Sequence, residues 1–475
     1  MYAEVLVEYN AKQIDRTFTY LVPSILQNKL KKGMQVKIPF GNKEINGFVL
    51  NITDQVTDIK GLKAIKAITN EEIILNEELL AIGDLLVNKT FCSRITAFET
   101  MLPSSLKVKT NNDYNKYQVF YELQASSEEI EQYFLNHKNS LRQKAIVAEI
   151  TNQGRIAGQG LSPSSVKALI ENNIIKQVKD QKYRLTNEAK INKDRYVLTA
   201  DQKVALEQID LTKHQVHLLY GVTGSGKTEV YLNLMEQVIS EGKTAIMLVP
   251  EITLTVQTVS TLQKRFGDKV AIFHSGLSTG EKNDEYYKII RGEVKIVIGT
   301  RSAIFVPLIN IGLIVLDEEH SDTYKQENNP RYHALDIALF RAKYHQCPLI
   351  LASATPSLEA MARAQKGVYN LITMKHRIGN ATLPTCYLVD MLPEMKKRQM
   401  ILSSLLKAKI KDRIQKQEQI ILLLNRRGFA TTISCQACGY TFKCPNCEIT
   451  LTYHKTKNNF RCHYCGYTIF KPEVC

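Results

Sequence analysis

Residues 221–228 have the types and the spacing that phosphate binding requires. They form the stretch GVTGSGKT, which fits the pattern G-x-x-x-x-G-K-[ST] between an apolar run and a helix-length run. Glycines let successive backbone N–H groups turn inward around phosphates, and the following helix adds the positive end of its dipole. We therefore predict that Lys227 contacts the β- and γ-phosphates of a nucleotide and that the Thr228 hydroxyl binds Mg²⁺. A chance match in a Gly-rich turn is the alternative.

A carboxylate at the end of another strand completes such a site, and the stretch IGLIVLDEEHSDTYKQE supplies one. Its apolar run ends at Asp317, which can hold Mg²⁺, and the next residue, Glu318, can orient and deprotonate the attacking water. An acidic run after a strand is more often a solvated loop, but this one begins on the last strand residue. The predicted chemistry is ATP hydrolysis, with Lys227, Asp317 and Glu318 as the catalytic residues. The ATP-binding residues would be Gln202, whose amide can read an adenine edge, with Gly221, Val222, Thr223, Gly224, Ser225, Gly226, Lys227 and Thr228.

Cysteines in the last part of the chain have the spacing of metal ligands. Seven of the ten cysteines lie in residues 435–475, and six of them form Cys-x-x-Cys pairs. In a reducing compartment such pairs bind metal more often than they form disulfides, because both thiolates of a tight turn can meet one ion. The pairs Cys444/Cys447 and Cys462/Cys465 are separated by 14 residues, close to the zinc-ribbon spacing. We predict a closed tetrahedral zinc site that is structural and not catalytic.

A second zinc site with one ligand missing is predicted from the other cysteines of this group, Cys435, Cys438 and Cys475. His454 or His463 can supply the fourth ligand, although both lie close in sequence to the first site. The cysteines elsewhere are expected to be small buried hydrophobic residues: Cys92, Cys347 and Cys386.

Several loops that follow apolar runs carry side chains suited to phosphate contacts with a polynucleotide. They lie in VPEITLTVQT and IGTRSAIF, and the residues concerned are Thr253, Gln257, Thr300, Arg301 and Ser302. The stretch ASATPS, residues 352–357, could couple the nucleotide state to these loops. The formal charge of +15 and the pI of about 9.1 also favour a polyanionic partner, most commonly nucleic acid. A basic soluble protein without such a partner is the alternative.

Hydrophobic patterning indicates the elements that would position these residues. Residues 1–105 alternate and turn like a mostly β domain that includes a hairpin. Residues 106–195 begin with a polar linker and continue with two helical runs and an alternating run, which suggests a winged helix or a generic helical linker. Residues 196–375 repeat short apolar runs and amphipathic helices, which predicts a parallel, doubly wound sheet. Residues 376–434 contain a further predicted strand, QIILLLN, which the family resemblance given below assigns to the start of a second lobe, and residues 435–475 are the zinc region.

Composition is that of an ordinary globular protein, with 44% apolar and 23% charged residues. The first residues, MYAEVLVEYNAKQ, lack the charged and apolar regions of a signal peptide, and no apolar run approaches the length that spans a bilayer. We expect a cytoplasmic protein without a membrane segment.

The order of the motifs resembles that of superfamily 2 helicases. The motif sequences themselves most resemble those of the primosomal protein N′ (PriA) family of replication-restart helicases. The resemblance rests on GVTGSGKTEVY, LVPEITLT, FHSGLS, IGTRSAIFVPL, LIVLDEEHSDTYKQE, YHALDIALFRA, LASATPSLE, LLNRRGFA and the cysteine pairs. It is strong over residues 198–475 and looser over residues 1–110, through RTFTYLVP, VKIPFG and GLKAI. It implies an α/β, multidomain fold. A RecA-like parallel-sheet lobe and the start of a second lobe with a zinc-binding insertion would follow a mostly β DNA-binding domain and a winged helix.

The resemblance also implies a function. Such proteins use ATP and Mg²⁺ to translocate 3′ to 5′ on single-stranded DNA, recognise abandoned replication forks and help to reload the replicative helicase. The implied partners are forks, single-stranded DNA, 3′ ends, primosome proteins and single-stranded-DNA-binding protein, with the protein a monomer at the nucleoid. Two Zn²⁺ ions are implied for the complete protein, and the missing zinc ligand would follow residue 475.

The resemblance assigns DNA contacts residue by residue. A pocket for a 3′-terminal nucleotide would be formed by Phe18, Thr19, Tyr20, Gly41 and Lys63. The two aromatic rings can stack on a base and the lysine can meet a phosphate, whereas strand-core packing is the alternative for both rings. The family often has an acidic residue where this chain has Thr19. An aromatic-rich loop that links DNA contact to ATP hydrolysis would include Tyr324, Lys325, Arg331, Tyr332 and His333.

The unpaired Cys475 and the lack of later second-lobe motifs suggest that the chain is part of a longer protein. An arginine that completes the ATP site from the second lobe would then be missing. In that case the chain would act as a fork-binding and helicase-loading platform with secondary or no ATPase activity, which is the alternative to an active helicase. A restriction or chromatin motor shares the ATPase motifs but does not explain the cysteine pairs.

Overall fold

The computed structural model describes most of the chain, which divides into the compact units Met1–Thr382 and Leu383–Cys475. The described residues are 1–10, 12–55, 61–108, 114–137, 140–185, 196–251, 253–254, 256–379, 384–396, 401–423, 440–454 and 457–470. None of the described helices combines the length and the apolarity needed to cross a membrane.

Five antiparallel strands form the first sheet: β1 (Tyr2–Val7), β2 (Thr17–Leu21), β3 (Gln35–Phe40), β4 (Lys43–Thr53) and β5 (Ala67–Ile68). Their order is β2-β1-β4-β3-β5. The predicted hairpin is β3–β4, and Gly41 at its turn has a φ of +59°, which glycine adopts without strain. Ile65 N donates to Leu21 O, so the segment leading into β5 also reaches β2. The mostly β prediction for this region is confirmed. Its helices are α1 (Ser24–Gln27), α2 (Glu77–Thr90) and α3 (Arg94–Met101).

A three-stranded sheet with three helices follows in the first unit. Its elements are β6 (Tyr117–Leu123), α4 (Ser127–Asn136), α5 (Leu141–Gln153), β7 (Arg155–Ala157), α6 (Pro163–Glu171) and β8 (Ile175–Gln181). The two helices and the final strand lie where patterning placed them, whereas β6 begins inside the stretch predicted as a linker. Strand β6 is stabilised by antiparallel pairing with β8, more than 50 positions along the chain, which local patterning does not reveal. The winged-helix assignment stays a prediction.

Seven parallel strands form the central sheet of the first unit. They are β9 (Val216–Gly221), β10 (Thr244–Leu248), β11 (Val270–Phe273), β12 (Ile296–Gly299), β13 (Ile311–Asp317), β14 (Leu349–Ser353) and β15 (Asn370–Met374), in the order β11-β12-β10-β13-β14-β9-β15. The helices around it are α7 (Ala200–Glu207), α8 (Lys227–Ser240), α9 (Val256–Phe266), α10 (Thr279–Ile290), α11 (Ala334–Tyr344) and α12 (Leu358–Gln365). The predicted parallel, doubly wound sheet is confirmed.

One predicted strand is wrong and one strand was missed. The run QIILLLN is residues 419–425, and its described part, residues 419–423, is not a strand. An apolar run becomes a strand only where a neighbour pairs with it, and no such neighbour lies among the described residues around it. The missed strand is β15, which pairs with β9 at the edge of the central sheet. Its alternating burial gives it a weaker apolar signal than the buried strands.

Apolar side chains cover both faces of the central sheet. Leu234 and Met235 of α8 and Leu262 of α9 belong to the cluster on one face. The cluster on the other face includes side chains of α2, α3, α10 and α11, and Leu6 and Phe48 of the first sheet join it. The first sheet and the central sheet of this unit therefore share one continuous core.

The described residues of the second unit form two helices and a small antiparallel sheet. Its elements are α13 (Met391–Lys396), α14 (Ser404–Gln415), β16 (Thr452–His454), β17 (Asn459–Arg461) and β18 (Thr468–Phe470). The buried residues beside the three strands are Cys444, Leu451, Phe460 and Cys462. So small an apolar cluster offers little stability by itself, as expected of a segment that folds around a metal.

Candidate nucleotide, DNA and zinc sites

The predicted phosphate loop connects strand β9 to helix α8 at the carboxyl edge of the central sheet. Gly224 and Gly226 have φ angles of +84° and +79°, and α8 begins at Lys227. A side chain at Gly226 would collide with the Gln202 amide and with Ile378. The strand, the turn and the helix N-terminus are thus arranged as the sequence predicted, with the positive end of the α8 dipole at the loop.

Lys227 is mostly buried beneath this loop. Its ammonium donates to Gly221 O at 2.8 Å. Burial lowers the pKa of Lys227, while the nearby carboxylates of Glu318 and Asp317 act in the opposite direction. The lysine is therefore held between the loop and the acidic strand end, which is where a phosphate-contacting cation must lie.

Asp317 and Thr228, the two predicted Mg²⁺ ligands, are joined by one buried hydroxyl. Tyr231 Oη lies 2.9 Å from Asp317 Oδ2 and 3.0 Å from Thr228 Oγ1. Burial raises the pKa of Tyr231 well above its usual value, so its hydroxyl keeps its proton. Burial also raises the pKa of Asp317. Sequence reasoning missed Tyr231, although its position three residues after Thr228 places it on the same helix face.

The acidic run that begins at Asp317 is hydrogen-bonded to the ASATPS loop and is not a solvated turn. Glu319 accepts hydrogen bonds from the backbone N–H and the hydroxyl of Ser357. His320 Nδ1 lies 2.8 Å from Ser353 Oγ, which also accepts from Thr355 N. The stretch ASATPS therefore contacts the residues that follow Asp317, as coupling between the two loops requires. Glu319 and His320 were not assigned a role from the sequence.

Gln202 connects helix α7 to the phosphate loop. Its Oε1 accepts from Thr199 N at 2.8 Å, and its Nε2 donates to Gly226 O at 3.2 Å. The amide keeps one further proton and one further lone pair for an adenine edge. Beside it, Asp201 accepts from the backbone N–H groups of Lys375 and His376, which anchors the segment after β15.

The predicted DNA contacts of this lobe lie together, but they differ in exposure. The Arg301 guanidinium donates to Lys325 O at 2.6 Å and lies over the ring of Tyr332. Tyr332 is buried against Phe305, and burial raises its pKa to about 12. Thr300 is buried as well, so Arg301 is the residue of the three that reaches the surface. Stacking of Tyr332 on a base would require this contact with Phe305 to open.

The aromatic-rich loop is anchored on the nucleotide site. Tyr324 is fully buried, and its hydroxyl donates towards Leu248 O and Asp317 O, at 3.0 and 2.6 Å. Lys325 donates to Arg331 O, and the His333 side chain caps α11. The hydroxyl of Thr253 donates to Pro250 O, and the side chain of Gln257 lies outside the described part of the chain.

The predicted 3′-end residues meet at one end of the first sheet. Lys63 Nζ donates to Gly41 O at 3.0 Å, and the ring of Phe18 packs edge-on against Phe40, 5.1 Å between centroids. Phe18 is half-buried and Lys63 is exposed. Tyr20 instead lies in the core, 4% exposed, and its hydroxyl donates to Pro39 O. Tyr20 is therefore packed in the strand core, which was the alternative to stacking on a base. Thr19 is half-buried opposite Glu4 of β1.

Four cysteines come together in the second unit. The sulfurs of Cys444, Cys447, Cys462 and Cys465 all lie within 4.8 Å of one another. A tetrahedral zinc with Zn–S bonds of about 2.3 Å requires sulfurs about 3.8 Å apart, so this donor set fits the ion. Two matching turns present the thiols, since Cys444 N donates to Ile449 O and Cys462 N to Tyr467 O.

The predicted second zinc site lies outside the described residues, because Cys435, Cys438 and Cys475 do. The two histidines considered as substitute ligands contact each other, with their Nε2 atoms 3.2 Å apart.

Comparison with known families follows the same division of the chain. The 3′DNA-binding domain (3′BD) of PriA matches residues 4–103, the DEAD/DEAH box helicase family matches residues 199–364, and the PriA DNA helicase Cys-rich region (CRR) domain matches residues 444–469. The replication restart protein PriA of Bacillus subtilis is 38% identical over 100% of this chain and 68% of its own length. This chain belongs to the PriA family of replication restart proteins.

Another PriA, from Chlamydia trachomatis, is 34% identical over 99% of this chain and 64% of its own length, so the chain spans about two thirds of these relatives. Among solved structures, RecG bound to a three-way DNA junction matches with 23% identity and a TM-score of 0.30, over 41% of this chain and 27% of that one. The family assignment rests on the PriA relatives.

Proposed function

We propose that this chain is an ATP-dependent DNA helicase of replication restart, one that recognises the 3′ end of DNA at a stalled or abandoned fork. The observation that carries the proposal is the meeting of Lys227, Thr228, Asp317 and Glu318 at one edge of the central sheet. Residues 4–103 of the same chain match a 3′-DNA-binding family. Membership of the PriA family supports it.

Each site residue has a separate role in ATP hydrolysis in the proposed mechanism. Lys227 and the loop N–H groups bind the β- and γ-phosphates, and Gln202 contacts the adenine. Mg²⁺, held by Thr228 and Asp317, would neutralise charge that develops on the phosphate oxygens. Glu318 orients the attacking water and accepts its proton. The hydrogen bonds that the ASATPS loop makes with Glu319 and His320 then carry the nucleotide state to the DNA-facing loops.

The DNA side of the proposal rests on family membership and on exposed groups. Phe18 and Lys63 would contact a terminal nucleotide, and Arg301 would contact the tracking strand, with movement 3′ to 5′. Zn²⁺ would be held by the four clustered cysteines as a structural ion. A monomer in the cytoplasm, at the nucleoid, with primosome proteins and single-stranded-DNA-binding protein as partners, completes the proposal.

Nucleotide binding provides the test of the ATPase site. Binding of a fluorescent ATP analogue in the presence of Mg²⁺ should be lost in Lys227→Ala and kept in Lys343→Ala, an exposed lysine of α11. If both variants bind like the unmodified chain, the proposed ATP site is wrong. ATP turnover with and without forked DNA then separates a helicase from the alternative, a fork-binding platform without turnover.

End recognition is tested with two forks that differ only in a 3′-hydroxyl or a 3′-phosphate at the leading-strand end. The chain should prefer the 3′-hydroxyl fork, and Lys63→Ala should weaken binding to it. Lys66→Ala, an exposed lysine of the same segment, should not. Equal binding of both forks by the unmodified chain would refute 3′-end recognition.

A further inference from the structure

Tyr231 lies beneath the nucleotide site and belongs to none of the predicted sets of residues. It is at the start of the second turn of α8 and is 1% exposed, with its ring among the apolar side chains on one face of the sheet. Its hydroxyl reaches out of this apolar surrounding to two polar atoms, Thr228 Oγ1 and Asp317 Oδ2. These atoms come from the start of helix α8 and from the end of strand β13, so the hydroxyl is a bridge between them.

The direction of the two hydrogen bonds follows from the number of protons. The Tyr231 hydroxyl has one proton, and an ionised Asp317 can only accept. Both contacts are satisfied when Tyr231 donates to Asp317 and Thr228 donates to Tyr231. In the reverse arrangement, lone pairs of Asp317 Oδ2 and of the tyrosine oxygen would face each other at 2.9 Å.

This direction leaves both oxygens prepared for a cation. The threonine proton is turned towards Tyr231, so a lone pair of Thr228 Oγ1 is free on the opposite side. Asp317 is held at both oxygens, because Glu318 N donates to Oδ1 at 3.0 Å while Tyr231 holds Oδ2. Groups that orient ligands in this way commonly determine metal affinity.

We propose that Tyr231 is a positioning residue that sets the orientation of both Mg²⁺ ligands, Thr228 and Asp317. The inference rests on the proposed Mg²⁺–ATP site. It predicts that removing this one hydroxyl group weakens Mg²⁺ binding while nucleotide binding without metal is unaffected.

The test is a Mg²⁺ titration of fluorescent ATP analogue binding to the full chain, with Tyr231→Phe beside the unmodified protein. The half-saturating Mg²⁺ concentration should rise by about tenfold or more, as is typical when a group that orients a metal ligand is lost. Affinity for the analogue in EDTA should stay the same, whereas a purely structural defect would lower it too. Binding of Mn²⁺ with ADP, followed by electron paramagnetic resonance, gives a second readout that needs no turnover.

Tyr286→Phe is the matched control. Tyr286 is also fully buried in this unit, and its hydroxyl donates to Ile74 O, with no link to either Mg²⁺ ligand. The Tyr286→Phe variant reports the effect of losing a buried tyrosine hydroxyl elsewhere in the unit, and it should leave the Mg²⁺ titration unchanged.

The possible results separate the two proposals. If the unmodified chain binds the analogue equally with Mg²⁺ and with EDTA, the Mg²⁺–ATP site itself is refuted and the role of Tyr231 with it. If the unmodified chain responds to Mg²⁺ and Tyr231→Phe responds identically, the ATP site stands and the positioning role is wrong. A rise seen equally in Tyr286→Phe would also refute the specific role.

Discussion

Replacing Glu78 by glutamine should destabilise the first unit strongly, because Glu78 neutralises a buried arginine. The Arg341 guanidinium is 0% exposed and donates to both carboxylate oxygens of Glu78, at 2.7 and 3.0 Å. Its remaining protons go to the carbonyls of Ile304, Val306 and Leu308. Burial raises the pKa of Glu78, but the charges and hydrogen bonds of Arg341 and His345 together outweigh burial, and the pKa lies below the usual range. Without that carboxylate, a positive charge is buried without its counter-ion.

The magnitude follows from the burial and from the size of the unit. Breaking a buried ion pair by removing one partner costs about 3–5 kcal/mol. A unit that spans Met1–Thr382 has an unfolding entropy of about 0.8 kcal/mol per kelvin, from roughly 2.1 cal/mol/K per residue. The thermal midpoint should therefore fall by about 4–6 °C. The chain has no tryptophan, so helical circular dichroism is the appropriate probe of unfolding.

An exposed ion pair between the same two helices provides the control. Lys89 of α2 and Asp336 of α11 are 2.8 Å apart, with side chains 49% and 40% exposed. Exposed pairs contribute about 0–1 kcal/mol, so Asp336→Asn should shift the midpoint by about 1 °C or less. If the midpoint of Glu78→Gln also lies within about 1 °C of that of the unmodified chain, the carbonyls of Ile304, Val306 and Leu308 satisfy Arg341 by themselves. The reasoning is then refuted.

Three further outcomes are expected. Cys444→Ser should lower bound zinc by about one ion per chain, measured by elemental analysis, whereas the exposed Cys386→Ser should not change it. His217→Leu should make the first unit less sensitive to acid: burial lowers the pKa of His217 to about 4, and its Nε2 meets no hydrogen-bond partner among the described residues. The histidine of the unfolded chain takes up a proton below its usual pKa of about 6.5, whereas the buried His217 does so only near its lowered pKa. The free energy of unfolding therefore falls by about 1.4 kcal/mol for each pH unit between those two pKa values. Thermal midpoints of the unmodified chain and of the leucine variant at pH 7 and pH 5 measure the difference. Ser353→Ala removes the partner of His320 and should reduce stimulation of ATP turnover by DNA roughly 2- to 30-fold with nucleotide binding unchanged; an unchanged stimulation would contradict coupling through this pair.

Local patterns were sufficient for much of this protein. The phosphate loop is one strand, one turn and one helix start in contiguous residues, so its backbone geometry follows from glycine freedom and helix formation alone. The four-cysteine cluster follows from two short turns of known spacing. The parallel sheet follows from buried apolar runs that alternate with helices.

Burial and long-range pairing required the tertiary structure. Tyr20 and Tyr332 have the side chains of base-stacking residues, but their neighbours in the fold bury them. The partners Glu78 and Arg341 are 263 positions apart, and strand β6 exists because β8 pairs with it. Tyr231 lies between Thr228 and Asp317 only because helix α8 packs across β13, which is separated from β9 by β14 in the sheet. The sequence by itself determined which chemical groups are present and which contiguous segments fold as motifs. The tertiary structure decided which of those groups meet and which remain exposed, since both depend on elements distant along the chain.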